Sequence, residues 1–162
     1  MLFRSPDRPP GDPAGGPEVA APTTPAPRPG PSLLDAVRSG QPTLRHARQL
    51  TALAATVGFD WPEIGPVWDK IAEELAELQE AVDQGEPRHR VEAELGDLLL
   101  AIANLSRFLD VDPEDALCGA IEKFSRRFKG MEHVLAQRGQ RMADLPLDDL
   151  EELWVAEKRR EG

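Results

Sequence analysis

Two short acidic stretches decide the fold of this chain, KIAEELAEL at residues 70–78 and VEAELGD at residues 91–97. At about 100° per residue, each stretch predicts an amphipathic helix, and the two helices have the same layout. We expect an apolar stripe on each helix to form the core. The predicted stripes consist of Ile64, Val67, Ile71, Leu75, Leu78 and Val82 on the first helix and of Val91, Leu95, Leu98, Ile102, Leu105 and Leu109 on the second.

Charged residues run along one flank of each apolar stripe. On the first helix this flank holds Lys70, Glu74 and Glu77, whereas Glu73 points to nearly the opposite side. The matching flank of the second helix consists of Arg90, Glu94, Asp97, Ala101 and Asn104. The same arrangement of acids beside a core stripe therefore occurs twice.

A short turn at residues 84–87 predicts that the two helices run antiparallel, pack through their apolar stripes and bring the acidic flanks face to face. Four carboxylates would then meet, those of Glu74, Glu77, Glu94 and Asp97, and an all-oxygen site of this kind suits Mg²⁺ or Mn²⁺. Without a cation, two such charges about 5 Å apart repel by about 3 kcal/mol at an effective dielectric constant near 20. A single Glu-x-x-Glu pair more often lies on a solvated helix face, but its repetition favours metal binding.

The composition indicates an acidic intracellular protein. Nineteen Lys and Arg residues stand against 29 Asp and Glu residues, and the whole net charge of −10 comes from residues 44–162. Such a charge argues against nucleic acid or an anionic membrane as a partner. The one cysteine, Cys118, excludes an internal disulfide, fits a reducing compartment and is expected to be buried. Because no apolar run of about 18 residues occurs, we expect a soluble, cytoplasmic protein.

The chain divides into a proline-rich tail at residues 1–42 and an all-α domain at residues 43–160. Ten of the sixteen prolines lie in the first 31 residues, among few large apolar side chains, so we expect the tail to be disordered. Two PxxP patterns, at residues 6–9 and 22–25, fit the ligand of an aromatic groove but arise by chance in proline-rich tails.

Capping signals predict the remaining helix boundaries. Thr43 is expected to cap a helix that runs to about Val57, and Pro62 is expected to begin the long acidic helix. Asp112 followed by a proline and two acids predicts another helix start. A last helix is expected at residues 147–158.

Three features leave alternatives open. The helix at residues 98–105 is apolar nearly all round, which predicts a dimer or higher oligomer that completes the bundle. The pair Phe59 and Trp61 either packs the corner before the acidic helix or forms one wall of a nucleotide pocket. Trp154 is either an anchor for the last helix or a stacking platform.

These motifs together resemble the metal-binding signature of the MazG family of nucleoside triphosphate pyrophosphohydrolases. The resemblance covers residues 44–158, and these residues are similar to the C-terminal, catalytic domain of MazG proteins. Its motifs are Glu73-Glu74-x-x-Glu77, Glu94-x-x-Asp97, Val57-Gly58-Phe59-Asp60-Trp61, Asn104-Leu105-x-Arg107, Glu122-Lys123-Phe124-x-Arg126-Arg127-Phe128 and Leu153-Trp154. One departure is Gly119-Ala120-Ile121, where many members have Lys-x-Asn.

The resemblance implies a dimeric all-α bundle that depends on Mg²⁺, with Mn²⁺ as its substitute, and cleaves nucleoside triphosphates to the monophosphate and diphosphate. The implied metal ligands are Glu74, Glu77, Glu94 and Asp97. As a separate mechanistic hypothesis, we take Glu73 and Glu74 as the catalytic residues, with Glu73 as a base that acts through an adjacent water. The implied contacts to the nucleotide are Lys70, Asn104, Lys123, Arg126, Arg127 and Trp154.

Charge suggests more than one metal ion, since four carboxylates and a triphosphate bring about −8 together. A narrower dUTP or dCTP pyrophosphatase, or a phosphoribosyl-ATP pyrophosphohydrolase, shares the helical acid pairs and stays open. A ferritin-like di-iron bundle needs Glu-x-x-His pairs on helices, and the one such spacing, at residues 86–89, begins in a turn. The non-enzymatic alternative is a regulatory dimer whose site is weakened.

Overall fold

The structure is a computed structural model, and it describes residues 30–38 and 40–160. All regular structure in these two ranges is helical, as the sequence predicts. The described residues form two compact units with a boundary between Asp110 and Val111. The proline-rich segment up to residue 29, with its two PxxP patterns, lies outside the described residues.

Five α-helices follow one another along the described chain. Their bounds are α1 Thr43–Ala55, α2 Gly65–Asp83, α3 Arg88–Phe108, α4 Pro113–Gln137 and α5 Leu147–Arg160. Two short 3₁₀ turns, Leu33–Ala36 and Met142–Asp144, precede α1 and α5. In the first unit α3 packs against both α2 and α1, and in the second unit α4 packs against α5.

A tight turn makes α2 and α3 antiparallel. Gly85 adopts a left-handed φ of 64°, which costs glycine little because it has no Cβ. The amide of Gly85 donates to the carbonyl of Val82 at 3.1 Å, and that of Glu86 donates to the carbonyl of Ala81 at 2.9 Å. This pair of hydrogen bonds ends α2, and α3 begins directly after Pro87.

Two of the predicted helix starts shift and one is confirmed. Helix α2 begins at Gly65 and carries a proline in its first turn, so the prediction that Pro62 starts it is wrong. Thr43 is the first residue of α1 rather than its cap. Asp112 does cap α4, since its side chain accepts hydrogen bonds from the amides of Glu114 and Asp115.

The polar flanks, and not the apolar stripes, are the most buried parts of α2 and α3. The buried residues along these flanks are Lys70, Glu74 and Ala81 on α2 and Glu94, Ala101 and Asn104 on α3. By contrast, Leu75, Val82, Leu95, Ile102 and Leu109 are 42–57% exposed in the single chain. The expectation that the two stripes form the core within one chain is therefore wrong for these five residues, although Val67 and Leu105 are buried.

The second unit is held by aromatic packing between its two helices. The ring centroids of Phe124 on α4 and Trp154 on α5 lie 5.3 Å apart at an interplanar angle of 47°. Trp154 therefore anchors the last helix in this structure. Cys118 is exposed, so the prediction that it is buried is wrong, and its neighbours Leu117 and Gly119 on α4 are exposed as well. Within the described residues, no helix combines the length and the apolar character needed to cross a bilayer.

Candidate metal centre

Three carboxylates converge where the flanks of α2 and α3 meet. One oxygen each from Glu74, Glu94 and Asp97 lies within 4.8 Å of the other two. Opposite oxygens in an octahedral Mg²⁺ shell are about 4.2 Å apart, given metal–oxygen distances of about 2.1 Å. The three donors therefore need only small side-chain movements to bind one cation.

The burial of the Glu74 carboxylate is the strongest structural indication of a ligand at the cluster. The residue is 1% exposed, and its Oε2 is buried without a hydrogen-bond partner in the described structure. A buried carboxylate oxygen without a partner is costly because it has lost its hydration. A hard divalent cation at the cluster would satisfy this oxygen, so the residues present fit a metal.

Lys70 forms an ion pair with the other oxygen of Glu74. Its Nζ lies 2.7 Å from Glu74 Oε1 and 3.1 Å from Glu73 Oε1. Burial by itself lowers the pKa of Lys70, but the hydrogen bonds to Glu74 and Glu73 outweigh it, so the pKa is raised above its ordinary value. The ammonium group is therefore charged throughout the neutral pH range.

Arg90 on α3 forms an equivalent ion pair with Glu94. Its Nη2 lies 2.8 Å from Glu94 Oε1, and its Nε lies 3.6 Å from Glu86 Oε2. Lys70 with Glu74 and Arg90 with Glu94 thus repeat one i,i+4 pairing on the two helices. Sequence reasoning placed both cations on the acidic flanks but missed that each would pair with a ligand glutamate, although the i,i+4 spacing was the available signal.

The other acids predicted for the site lie at its edge. Glu77 is exposed and lies outside the group of three converging oxygens, but it lines an open cavity of about 420 Å³ together with Glu94, Asp97 and Arg90. Glu73 has a side chain that is 54% exposed and pairs with Lys70. The assignments of Glu77 as a ligand and of Glu73 as a base remain predictions.

A mainly apolar cavity of about 180 Å³ lies in the same unit and is partly lined by the polar flank of α3. Its lining consists of Leu34, Leu50, Thr51, Ala54, Phe59, Asp60, Trp61, Leu100, Asn104 and Arg107. Asn104 lies two turns beyond Asp97 on the same face of α3, which is about 10 Å along the axis. This separation is comparable to that between the phosphates and the base of a nucleotide.

Arg107 fixes the polar corner of this cavity. It forms a bidentate ion pair with Asp60, in which Nη1 donates to Oδ2 at 2.8 Å and Nη2 donates to Oδ1. Its Nε and Nη2 also donate to Asn104 Oδ1 at 3.2 and 3.1 Å. Because the Asn104 oxygen accepts from the guanidinium, its amide nitrogen is the group that can donate to a ligand. No local pattern could have revealed the pairing of Asp60 with Arg107, which are 47 positions apart.

The predicted phosphate-binding residues lie on α4 in the second unit. Lys123 and Arg126 are exposed, and Arg127 is half-buried with its guanidinium 5.7 Å from the centre of the Trp154 ring. Trp154 itself is half-buried against Phe124. Contacts of these residues with a nucleotide remain predictions of the family resemblance.

The fold and the site define an all-helical protein with a carboxylate cluster that can hold a metal. Residues 67–131 match the family described as MazG nucleotide pyrophosphohydrolase domain. This range includes all three converging carboxylates. Over residues 67–131, this match confirms the resemblance to the MazG family that the motifs predict.

Curated relatives agree with this assignment. The chain is 49% identical over 117 residues to the nucleoside triphosphate pyrophosphohydrolase/pyrophosphatase MazG of Thermotoga maritima, covering 72% of this chain and 44% of that protein. It is 42% identical over 135 residues to the nucleoside triphosphate pyrophosphohydrolase of Escherichia coli K12, covering 80% of this chain and 50% of that protein. The chain thus spans about half the length of the curated relatives it matches.

The ion pair between Asp60 and Arg107 is expected to stabilise the first unit. Both side chains are largely buried, with exposures of 24% and 18%, so removing one partner leaves a poorly solvated charge. A double-mutant cycle with Asp60→Ala and Arg107→Met should give a coupling energy of about 1–3 kcal/mol in urea unfolding. A coupling energy near zero would show that the pair does not stabilise the fold.

Proposed function

We propose that this protein is a Mg²⁺-dependent nucleoside triphosphate pyrophosphohydrolase that releases the nucleoside monophosphate and diphosphate. The observation that carries the proposal is the convergence of Glu74, Glu94 and Asp97, together with the buried Oε2 of Glu74 that has no hydrogen-bond partner. The match of residues 67–131 to the MazG nucleotide pyrophosphohydrolase domain supports the activity, as do two relatives that are named for it. A cytoplasmic location remains a prediction from the sequence.

Glu74, Glu94 and Asp97 would hold the cation, with Glu77 as a further ligand. A divalent cation bound there would lower the pKa of the attacking water and would neutralise part of the phosphate charge. The carboxylates fix the position of that charge next to the open cavity lined by Glu77, Glu94 and Asp97. An oxygen-only donor set selects a hard cation such as Mg²⁺, or Mn²⁺ as its substitute.

The apolar cavity beside Asn104 is the best site for the nucleobase in the first unit. Phe59 and Trp61 contribute aromatic rings to its lining, which suits a flat heterocycle. Asn104 would donate a hydrogen bond from its amide nitrogen to an acceptor on the base or sugar. Of the two alternatives for the aromatic pair, this geometry favours a wall of the nucleotide pocket.

We also propose a homodimer as the working form. Five residues of the apolar stripes of α2 and α3 are 42–57% exposed in the single chain, and large apolar patches on a helix pair mark association surfaces. A second copy is the natural occupant, because its equivalent stripe has the same apolar character and the bundle it completes would bury both.

Removing a metal ligand tests the activity. We expect Glu74→Gln and Asp97→Asn each to lower turnover about a hundredfold or more, because each removes an anionic donor while preserving side-chain volume. Release of diphosphate from nucleoside triphosphates is the measurement. Glu92→Gln, which alters an exposed glutamate on α3, is the matched control and should stay near wild type. Wild-type turnover in both ligand variants would refute the site.

Asn104 tests the base pocket. Asn104→Ala should raise the KM for the nucleotide about tenfold, the cost of one lost hydrogen bond to a buried group. The affinity for Mn²⁺ should not change, because Asn104 lies two turns from Asp97. An unchanged KM, or a weakened Mn²⁺ affinity, would contradict the assignment.

A charge on the exposed stripe tests the dimer. We expect Ile102→Glu to convert the protein to a monomer in sedimentation experiments, since burying a carboxylate between two copies costs several kcal/mol. Leu147→Glu, at an exposed leucine of α5, is the control and should leave the mass unchanged. A wild-type protein that sediments as a monomer would exclude the proposed dimer.

A further inference from the structure

We propose that Lys70 and Arg90 are built-in counter-ions of the metal centre. Each would neutralise one oxygen of a ligand glutamate, keep the protein folded before the metal arrives and weaken metal binding so that it stays reversible. This inference rests on the proposed function, because it needs a cation at the carboxylate cluster.

Geometry provides the first argument. Lys70 contacts Glu74 through Oε1 at 2.7 Å, and the oxygen without a partner is Oε2. Arg90 likewise contacts Glu94 through Oε1 at 2.8 Å. In each pair the basic group contacts one carboxylate oxygen and lies four residues before its glutamate. The ammonium group of Lys70 therefore leaves Oε2 of Glu74 available to a metal ion.

Charge provides the second argument. Glu74, Glu94 and Asp97 bring three negative charges together, and the two basic side chains offset two of them. The repulsion expected between bare carboxylates is thereby reduced in the metal-free protein. The same positive charges lie 2.7 and 2.8 Å from carboxylate oxygens of Glu74 and Glu94, so they oppose a divalent ion that binds to these residues.

Burial ranks the two residues. The side chains of Lys70 and Glu74 are 8% and 1% exposed, whereas those of Arg90 and Glu94 are 53% and 10% exposed. Solvent screens an exposed charge more strongly than a buried one. Lys70 should therefore influence the metal centre more than Arg90 does.

The role differs from the direct nucleotide contact that the family resemblance implies for Lys70. Its ammonium group is buried and already binds Glu74 and Glu73. A contact with substrate would require it to leave Glu74, and that would expose a second buried oxygen to the same cost as the first.

The test compares Lys70→Met, Arg90→Met and Arg88→Met in the full chain. Arg88 is the matched control, because its Nε forms an i,i+4 pair with Glu92 at 2.6 Å on the same helix, but both side chains are exposed and lie outside the cluster. Methionine keeps an unbranched apolar stem and removes the charge. Thermal unfolding without metal and calorimetric titration with Mn²⁺ alone are the two readouts.

We expect Lys70→Met to lower the Tm without metal and to bind Mn²⁺ about tenfold more tightly or better, so that Mn²⁺ raises its Tm by more than that of the wild type. Arg90→Met should show the same changes at about two- to threefold in affinity. Arg88→Met should match the wild type. Lys70→Arg keeps the charge and should restore wild-type behaviour, which separates the loss of charge from a general packing defect.

Each other outcome counts against the inference. A lower Tm with unchanged or weaker Mn²⁺ affinity would show that Lys70 only positions Glu74. An unchanged Tm and Mn²⁺ affinity with weaker nucleotide binding would restore the substrate contact. Failure of the wild-type protein to bind Mn²⁺ would instead overturn the proposed function, so the two failures are distinguishable.

Discussion

The burial of Glu74 between α2 and α3 is the constraint on which the rest of the first unit depends. A carboxylate that is 1% exposed needs compensation for its lost hydration, and Lys70 provides it for one oxygen only. The antiparallel hairpin then brings oxygens of Glu94 and Asp97 to within 4.8 Å of the Glu74 carboxylate. Fold and site are therefore the same feature, because the seam between the two helices contains the candidate metal centre.

The charged residues in the seam make the pair of helices less stable than an apolar seam would. Filling the seam between two helices with leucines would give a more stable pair than filling it with charged residues. The chain instead places leucines on the outward stripes and small residues such as Ala81 and Ala101 in the seam. A second copy that covers these stripes would recover the hydrophobic stabilisation lost inside, which links the proposed dimer to the acidic seam.

The polar side chains of α3 follow one another along one face of the helix. Glu94 and Asp97 belong to the carboxylate cluster, Ala101 is buried one turn further along, and Asn104 lines the apolar cavity. Arg107, one turn further on, fixes the orientation of Asn104 by donating to its oxygen. One helix face can thus position both the phosphate end and the base end of a nucleotide.

The sequence by itself determined the helical class, the hairpin turn, the Asp112 cap and the pairing of two acidic motifs, because these depend on local periodicity and on residues close in the chain. Periodicity also located the polar flanks correctly but could not decide whether flank or stripe would be buried. Only the tertiary structure decided that, together with the ion pairs at Glu74 and Glu94 and the distant pair of Asp60 with Arg107. The physical reason is that burial and charge pairing depend on which helices meet, and no spacing along a single helix specifies its neighbours.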